Sequence, residues 1–315
     1  MSRFLVTGGA GFIGSHIAEA LVGRGHEVRV YDDFSAGREE NLRSVWDRIE
    51  VQRGDVRDRF ALRKAVARVD GILHEAAMVS TARSMQFPEE CHEVNLTGAL
   101  NVLLEAQTAG VKRVVLAYSS AVYGDSPDAA REESPVQPMT PYAASKLGAE
   151  AYGQAFGFAC GLEVVSLRYF NVYGPRQDPS SEYSGVIARF AQALMAQEAG
   201  IVYGDGTQTR DFVYVEDVVR ANLMACEAPD LGGRTFNIGT GQPVRIIDLY
   251  RRMSALCGLT GTPRFGPARQ GDILHSCCSP VRAEKQLGFR AKVRLEEGLG
   301  RTLAWYGLDP SRGLR

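Results

Sequence analysis

Lysine is scarce in this chain. Of 36 lysines and arginines, only Lys64, Lys112, Lys146, Lys285 and Lys292 are lysines, and the formal net charge is -1. That balance offers no broad electropositive face, so a nucleic-acid partner is not expected. Zinc-type cysteine spacing is missing as well: Cys91, Cys160, Cys226, Cys257, Cys277 and Cys278 form no C-x-x-C pair, and adjacent Cys277 and Cys278 could not readily bridge each other. The reading is reduced thiols and no metal. No apolar run is long enough to cross a bilayer, and no leader precedes the first strand, which starts by about Arg3. A soluble, cytoplasmic protein without a membrane partner is expected. Internal repeats and low-complexity segments are absent too.

One of the few lysines falls four residues after a tyrosine, in Pro141-Tyr142-Ala143-Ala144-Ser145-Lys146. The good helix formers around it predict a long helix to about Cys160, and positions i and i+4 share a helix face. At roughly 6 Å and an effective dielectric near 20, the ammonium favours the phenolate by about 3 kcal/mol, lowering the phenol's pKa by about 2. Tyr142 would then be a general base near neutral pH.

The chain before this helix alternates short apolar runs with helical patterns. Phe4-Leu5-Val6 leads into Thr7-Gly8-Gly9-Ala10-Gly11-Phe12-Ile13-Gly14, and His16 to Val22 repeats at helical spacing. Strand, glycine turn and helix together suit a dinucleotide. Gly8 permits the turn, Gly11 admits the pyrophosphate, Gly14 lets helix and strand pack closely, and the N-terminus of the helix that follows offers free N–H groups. The second strand, Glu27 to Tyr31, ends in Asp32-Asp33, and a carboxylate there accepts ribose hydroxyls and repels a 2′-phosphate. NAD is the expected cofactor, with Arg38 leaving NADP open. Further strands are expected at Ile49–Val51 leading into Gly54-Asp55-Val56 beside the adenine, at Gly71–His74 before the small Ala76-Ala77, and at Val114–Tyr118. A long helical pattern covers about 88–109. This order predicts an α/β, Rossmann-type, doubly wound parallel sheet with ligands at the carboxyl ends of its strands. The last of these strands delivers Ser119-Ser120-Ala121 to that edge.

These residues resemble the extended short-chain dehydrogenase/reductases, the family of nucleotide-sugar epimerases and dehydratases. The resemblance runs from Thr7 to about Gly288 and rests on the glycine turn, Asp32, Gly54-Asp55, Asn95, the Ser119 segment, Tyr142 and Lys146. It implies catalysis by Ser119, Tyr142 and Lys146. It implies cofactor contacts from Gly8, Gly11, Phe12, Ile13, Gly14, Asp32, Asp33, Asp55, Val56, Ala76, Asn95 and Tyr169, with Tyr142 and Lys146. It also implies a homodimer built on the helices near 88–109 and 142–160. After about Arg168 the regular alternation stops. The division expected is residues 1–168 for the cofactor, with a strand returned from about 234–240, and 169–315 mainly as a smaller, interleaved substrate lobe.

The resemblance implies a substrate contact from Ser120 and, in that lobe, sugar-diphosphate contacts from Asn171 and Arg210, a base contact from Tyr203, and a second clamp in which Arg269 takes phosphate and Asp272 takes ribose. Two guanidiniums suit a diphosphate because each offers a fixed fork and keeps its charge. The slots at Ser120 and Ala121, acidic in similar dehydratases and decarboxylases, hold no carboxylate, which favours 4-epimerisation of a UDP-hexose over water elimination. In that reaction Tyr142 takes the 4-hydroxyl proton, hydride passes to NAD and returns to the other face, and the arginines hold the nucleotide end. Ser276, four residues past Asp272, stands where related epimerases carry a tyrosine that walls off acetamido groups, so UDP-N-acetylhexosamines join UDP-glucose and UDP-galactose as candidates. A UDP-glucuronate or dTDP-sugar epimerase, an NAD(P)H-dependent reductase and a non-catalytic dinucleotide sensor are the alternatives.

Overall fold

The computed structural model describes residues 1–179, 185–259, 262–268 and 273–308. In chain order its strands are β1 (Arg3–Thr7), β2 (Glu27–Asp32), β3 (Ile49–Arg53), β4 (Gly71–His74), β5 (Arg113–Ser119), β6 (Glu163–Tyr169), β7 (Asn171–Tyr173), β8 (Ile201–Tyr203), β9 (Thr209–Tyr214), β10 (Arg234–Ile238), β11 (Pro243–Arg245) and β12 (Arg264–Gly266). Its helices are α1 (Phe12–Gly23), α2 (Arg59–Val66), α3 (Thr81–Gln86), α4 (Pro88–His92), α5 (Gly98–Ala109), α6 (Pro141–Cys160), α7 (Val186–Met195), α8 (Val215–Glu227), α9 (Ile246–Leu256) and α10 (Leu295–Trp305).

Seven strands form one sheet in the order β10-β6-β5-β4-β1-β2-β3, with every neighbouring pair parallel. Such strands are covered on both faces, which is why β4, β5 and β6 read as near-continuous apolar runs rather than alternating ones. From β1 the chain runs outward through β2 and β3, then returns to β4 on the other side of β1. A crevice opens at such a switch point, beyond the carboxyl ends of β1 and β4, where Thr7 lies opposite His74. The expected doubly wound sheet is therefore present, and the run near Thr235 does return a strand, β10, to its edge.

Helix α1 starts at Phe12, directly after the glycine turn, and contains the periodic run from His16 to Val22. The helical pattern expected over 88–109 is present throughout, with one π turn, Glu93–Thr97, between α4 and α5. An extra residue in such a turn changes which side chains point inward. Here Asn95 is buried, with its amide on the backbone of Met78.

Beyond β6 the strands are short. β7 pairs parallel to β9, β9 antiparallel to β11, and β12 parallel to β8. One hydrophobic cluster joins them to the large sheet, running from Val6, Ile17 and Leu21 through Val218 and Tyr214 to Phe190, Tyr250 and Leu303. The N–H groups at 292 and 293 both bond the buried Asp217 carboxylate, fixing the approach to α10.

Candidate active site

The glycine turn is shaped by contacts that tolerate no side chain. Gly8 has φ +64°, and a Cβ there would sit 2.5 Å from the Ala76 nitrogen; at Gly14 it would sit 2.2 Å from the Gly8 carbonyl oxygen. Real Cβ atoms do not come that close to backbone, so both positions require glycine. No side chain caps α1, leaving the N–H groups of Phe12, Ile13 and Gly14 for an anion. Asp32, at the end of β2, is buried and accepts from the Ala10 N–H (2.9 Å) and the Phe34 N–H (2.8 Å). Burial raises its pKa against those two bonds. Asp33 turns to Ser35, accepting from its N–H and its hydroxyl. Asp55 accepts from the Arg57 N–H and guanidinium, which hold its carboxyl below the usual range.

All of these groups, with Val56 and Ala76, line one cavity of about 870 Å³ that runs over the carboxyl edge of the sheet. Its other end is catalytic in composition, lined by Ser119, Tyr142, Lys146 and Tyr169. Helix α6 delivers two of them. Thr140 caps it by accepting from the Ala143 N–H (3.2 Å), Pro141 occupies its first turn, and left-handed Gly161 ends it. Lys146 is buried and donates from Nζ to the Ala117 carbonyl at 2.9 Å. Ser119 ends β5; its Oγ accepts from the Ala121 N–H (3.2 Å) and its hydroxyl hydrogen-bonds the Tyr142 phenol.

The electrostatics correct one expectation. Burial raises the Tyr142 phenol above its ordinary pKa, and the Ser119 hydrogen bond only partly offsets this. Lys146 does not bring the phenol down in the chain by itself. Burial instead drops Lys146 to about 8, so its charge is fully present only on the acid side of that value.

Two further placements differ from the sequence reading. Asn95 does not line the cavity: besides Met78 it donates to Ser145 Oγ at 3.0 Å, bracing the 76–78 segment against α6. Ser120, Asn171, Tyr203, Arg210 and Ser276 lie outside the cavity lining as well. Several gather beside it. Asn171 pairs with Phe212, two residues from Arg210, and the Ser276 N–H donates to the Thr209 carbonyl at 3.3 Å. Tyr203 lies on the separate β8–β12 pair and accepts from Gln208 on its carbonyl. Arg269 and Asp272 fall outside the described residues.

Sequence reasoning missed Glu75, whose carboxylate oxygen accepts from the Tyr169 hydroxyl at 2.8 Å inside the cavity. It singled out the 174–179 segment, as a loop over the substrate resembling that of acetamido-sugar epimerases, but not the partners that hold it. That segment is tied to the glycine-turn side by Arg38–Asp178 (2.5 Å), by Arg176–Glu19 (2.6 Å), and by His16 on the Pro175 carbonyl (3.0 Å). Glu75 was legible in one respect, since it follows the end of β4 as Asp32 ends β2. Arg38 and Asp178 are 140 positions apart and carry no local signal.

A model of the NAD dependent epimerase/dehydratase family matches residues 4–239. The chain belongs to that family. It is 38% identical over 309 residues to the UDP-glucose 4-epimerase of Mycolicibacterium smegmatis, covering 96% of this chain and 98% of the relative. A solved UDP-glucose 4-epimerase from Thermus thermophilus, in complex with NAD, superposes with TM-score 0.89 at 38% identity, covering 97% of this chain and 99% of that one. The UDP-N-acetylglucosamine 4-epimerase from Methanobrevibacter ruminantium, in complex with UDP-N-acetylmuramic acid, superposes with TM-score 0.92 at 34% identity, covering 97% and 98%.

NAD is the cofactor of this family member, and its residues fit the group: a glycine cradle that any Cβ would fill, uncapped helix N–H groups, and Asp32 at the ribose end of the groove. Among the described residues, no group of three or more His, Cys, Asp and Glu is arranged for a metal ion, and no helix is long and apolar enough to cross a membrane.

Proposed function

We propose that the protein is a UDP-hexose 4-epimerase, interconverting UDP-glucose and UDP-galactose and accepting UDP-N-acetylhexosamines as well. The observation that carries this reading is the sharing of one cavity by the glycine cradle and the Ser119–Tyr142–Lys146 set, with no carboxylate at 120 or 121. Bound NAD supplies the hydride acceptor that becomes the donor on the return step. Tyr142 takes the proton of the 4-hydroxyl and gives it back. Ser119 hydrogen-bonds the same oxygen, easing the phenolate that forms. Lys146 contributes a fixed positive charge, and its two remaining N–H donors can serve a ligand in the cavity. Glu75 brings a carboxyl into the cavity, but from the end of β4 and already bonded to Tyr169, not from the 120–121 turn where an elimination would place it.

Residues 1–168 with β10 serve NAD in this reading, and 169–315 mainly serve the nucleotide sugar. Asn171, Arg210, Arg269 and Asp272 hold the diphosphate and ribose while the 4-keto sugar turns over, and Tyr203 meets the base. Ser276 leaves room for an acetamido group. Cytoplasmic location and a homodimer through α5 and α6 complete the proposal.

NMR product analysis tests it. Purified protein, without added cofactor, is mixed separately with UDP-glucose and UDP-N-acetylglucosamine. The galacto epimers are expected from both. A 4-keto-6-deoxy product would mean elimination, epimerisation of UDP-glucuronate alone would move the assignment to the uronate, and dependence on added NADH or NADPH would make it a reductase.

A further inference from the structure

One titratable side chain in the cavity has no part in the chemistry above. Glu75 leaves the end of β4 with its N–H on the Thr7 carbonyl (3.0 Å), so its backbone is part of the sheet edge. Among the described residues its carboxylate has one hydrogen-bond donor, the Tyr169 hydroxyl at 2.8 Å. That hydroxyl accepts from Asn222 Nδ2 at 2.7 Å, and Asn222 Nδ2 is itself held on the Val218 carbonyl (2.9 Å). Asn222 Oδ1 also lies 3.0 Å from that hydroxyl, but a phenol has one proton and the carboxylate is the nearer, stronger acceptor, so Asn222 Nδ2 donates to Tyr169 and Tyr169 donates to Glu75. The carboxylate is thereby anchored through two buried side chains from β6 and α8.

Glu75 lies one step past the His74–Leu116 pair of β4 and β5, and Ala117, one step past Leu116, holds Lys146 Nζ on its carbonyl at 2.9 Å. The two charges therefore sit at adjacent strand edges in the same cavity without a direct ion-pair contact, and each favours the other. Burial keeps the titratable neighbours His74, Tyr169, Cys226 and Tyr142 uncharged near neutral pH. His74, just before Glu75 on β4, is held neutral by burial and by Lys146. Tyr169 on β6 and Cys226 on α8 are both pushed up by burial. Tyr142 on α6 is raised as well. Cys91 on α4, the remaining group that Lys146 feels, has its Sγ 3.6 Å from Ser145 Oγ.

We propose that Glu75 is a positioning residue for Lys146: anchored by Tyr169, it supplies the counter-charge that holds the buried lysine in its cationic form. The proposal deepens the reading of Lys146 as the fixed positive charge of the site. Burial acts against both charges, raising Glu75 to about 7 and lowering Lys146 to about 8, and each charge offsets part of that cost for the other.

The scarcity of lysine makes the test direct. The other four, Lys64, Lys112, Lys285 and Lys292, are all exposed, so in protein labelled with ¹³C at lysine Cε the Lys146 resonance titrates apart from four ordinary ones. Wild type, Glu75→Gln, Glu75→Asp and Tyr169→Phe are titrated with saturating NAD and no sugar nucleotide. In Glu75→Gln the Lys146 midpoint is expected to fall by at least about one pH unit, the size of effect a close charge exerts in a buried site. Glu75→Asp should restore part of the fall, and Tyr169→Phe should show part of it with the carboxylate still present. The alkaline limb of kcat should move down in step while KM holds. An unmoved Lys146 midpoint in a folded Glu75→Gln protein overturns the proposal. If that variant does not fold, wild-type midpoints in both Glu75→Asp and Tyr169→Phe overturn it instead. Because no sugar is present, a wrong substrate assignment leaves the titration unaffected.

Discussion

Lys146 reaches back from α6 to donate to the carbonyl of Ala117 on β5, across 2.9 Å, in a position with almost no solvent exposure. The contact fixes the ammonium at the strand edge that also carries Ser119, and burial makes the charge costly to keep. Lowered to about 8, Lys146 is a cation below that pH and neutral above it. If the cation serves catalysis, kcat should fall as pH rises through about 8, well before an ordinary lysine with a pKa of about 10.4 would titrate. A kcat–pH profile with saturating substrate checks this; flat activity to about pH 10 would remove Lys146's charge from the mechanism.

Tyr142→Phe should lower kcat by about 10²–10⁴-fold, the usual scale for losing a positioned acid–base group. The ring, its cavity wall and the 3.2 Å bond from its backbone N–H to Ser84 Oγ all survive the change, so bound NAD should stay at the wild-type level. Parallel assays of turnover and of NAD released on denaturation separate the two effects. Turnover within a few-fold of wild type would exclude Tyr142 as the base.

Much of this site is written locally. Gly8, Gly11 and Gly14 lie in one turn, Tyr142 and Lys146 on one helical face, and both ends of the cavity follow strands whose apolar runs stand out. What stayed hidden depends on contacts distant in sequence. The π turn carries Asn95, whose amide reaches the backbone of Met78, a contact that periodicity over 88–109 does not register. The direction of the Tyr142 shift depends on how far burial opposes the neighbouring charge, and spacing alone records only the charge. Glu75 becomes informative only once Tyr169, 94 positions away, is seen to hold it.

Replacing Gly8 by Ala should abolish NAD retention. The new methyl would lie 2.5 Å from the Ala76 nitrogen and 2.8 Å from the Glu75 carbonyl carbon, at a φ of +64° that side chains rarely adopt. Backbone must move, and the same turn presents the N–H groups for the pyrophosphate. Gly300→Ala, on α10 with nothing within 4 Å, is the matched control and should retain wild-type NAD. Ultraviolet absorbance of the purified proteins, with chromatography of the released nucleotide, reads the outcome.

Acid should weaken the fold from about pH 6.5, before most carboxylates titrate. Burial holds His16 near 4 and His74 near 3 in the folded chain, while both take protons near 6.5 once unfolded. Between those values the unfolded state binds more protons, so stability falls with falling pH, by about 1.4 kcal/mol per unit for each histidine. Glu75 works in the opposite sense. Raised to about 7, it is protonated in the folded state over a range where the unfolded carboxyl has already lost its proton, which offsets part of the loss between about 7 and 4.5. Urea unfolding at about pH 7 and about pH 5 should show the lower midpoint in acid, and His74→Gln should shrink the difference. Equal midpoints at the two pH values would contradict the buried neutral state of both rings.

Removing one partner of the Arg168–Glu150 pair should cost far more than removing both. The guanidinium meets the carboxylate twice, at 2.6 and 2.8 Å, with both side chains almost fully buried. Arg168 also lies over the Tyr123 ring at 4.8 Å and donates to its hydroxyl, which donates on to Asn237. Glu150→Ala leaves that cation in a buried site without its counter-charge, a loss expected at about 3–5 kcal/mol. Arg168→Met together with Glu150→Leu removes both charges and keeps apolar volume, and buried pairs replaced in this way are often neutral or better. The double variant should therefore unfold at a higher urea concentration than either single variant. Additive losses would show that the pair's energy lies in packing on Tyr123, where a guanidinium and a thioether differ least, rather than in charge.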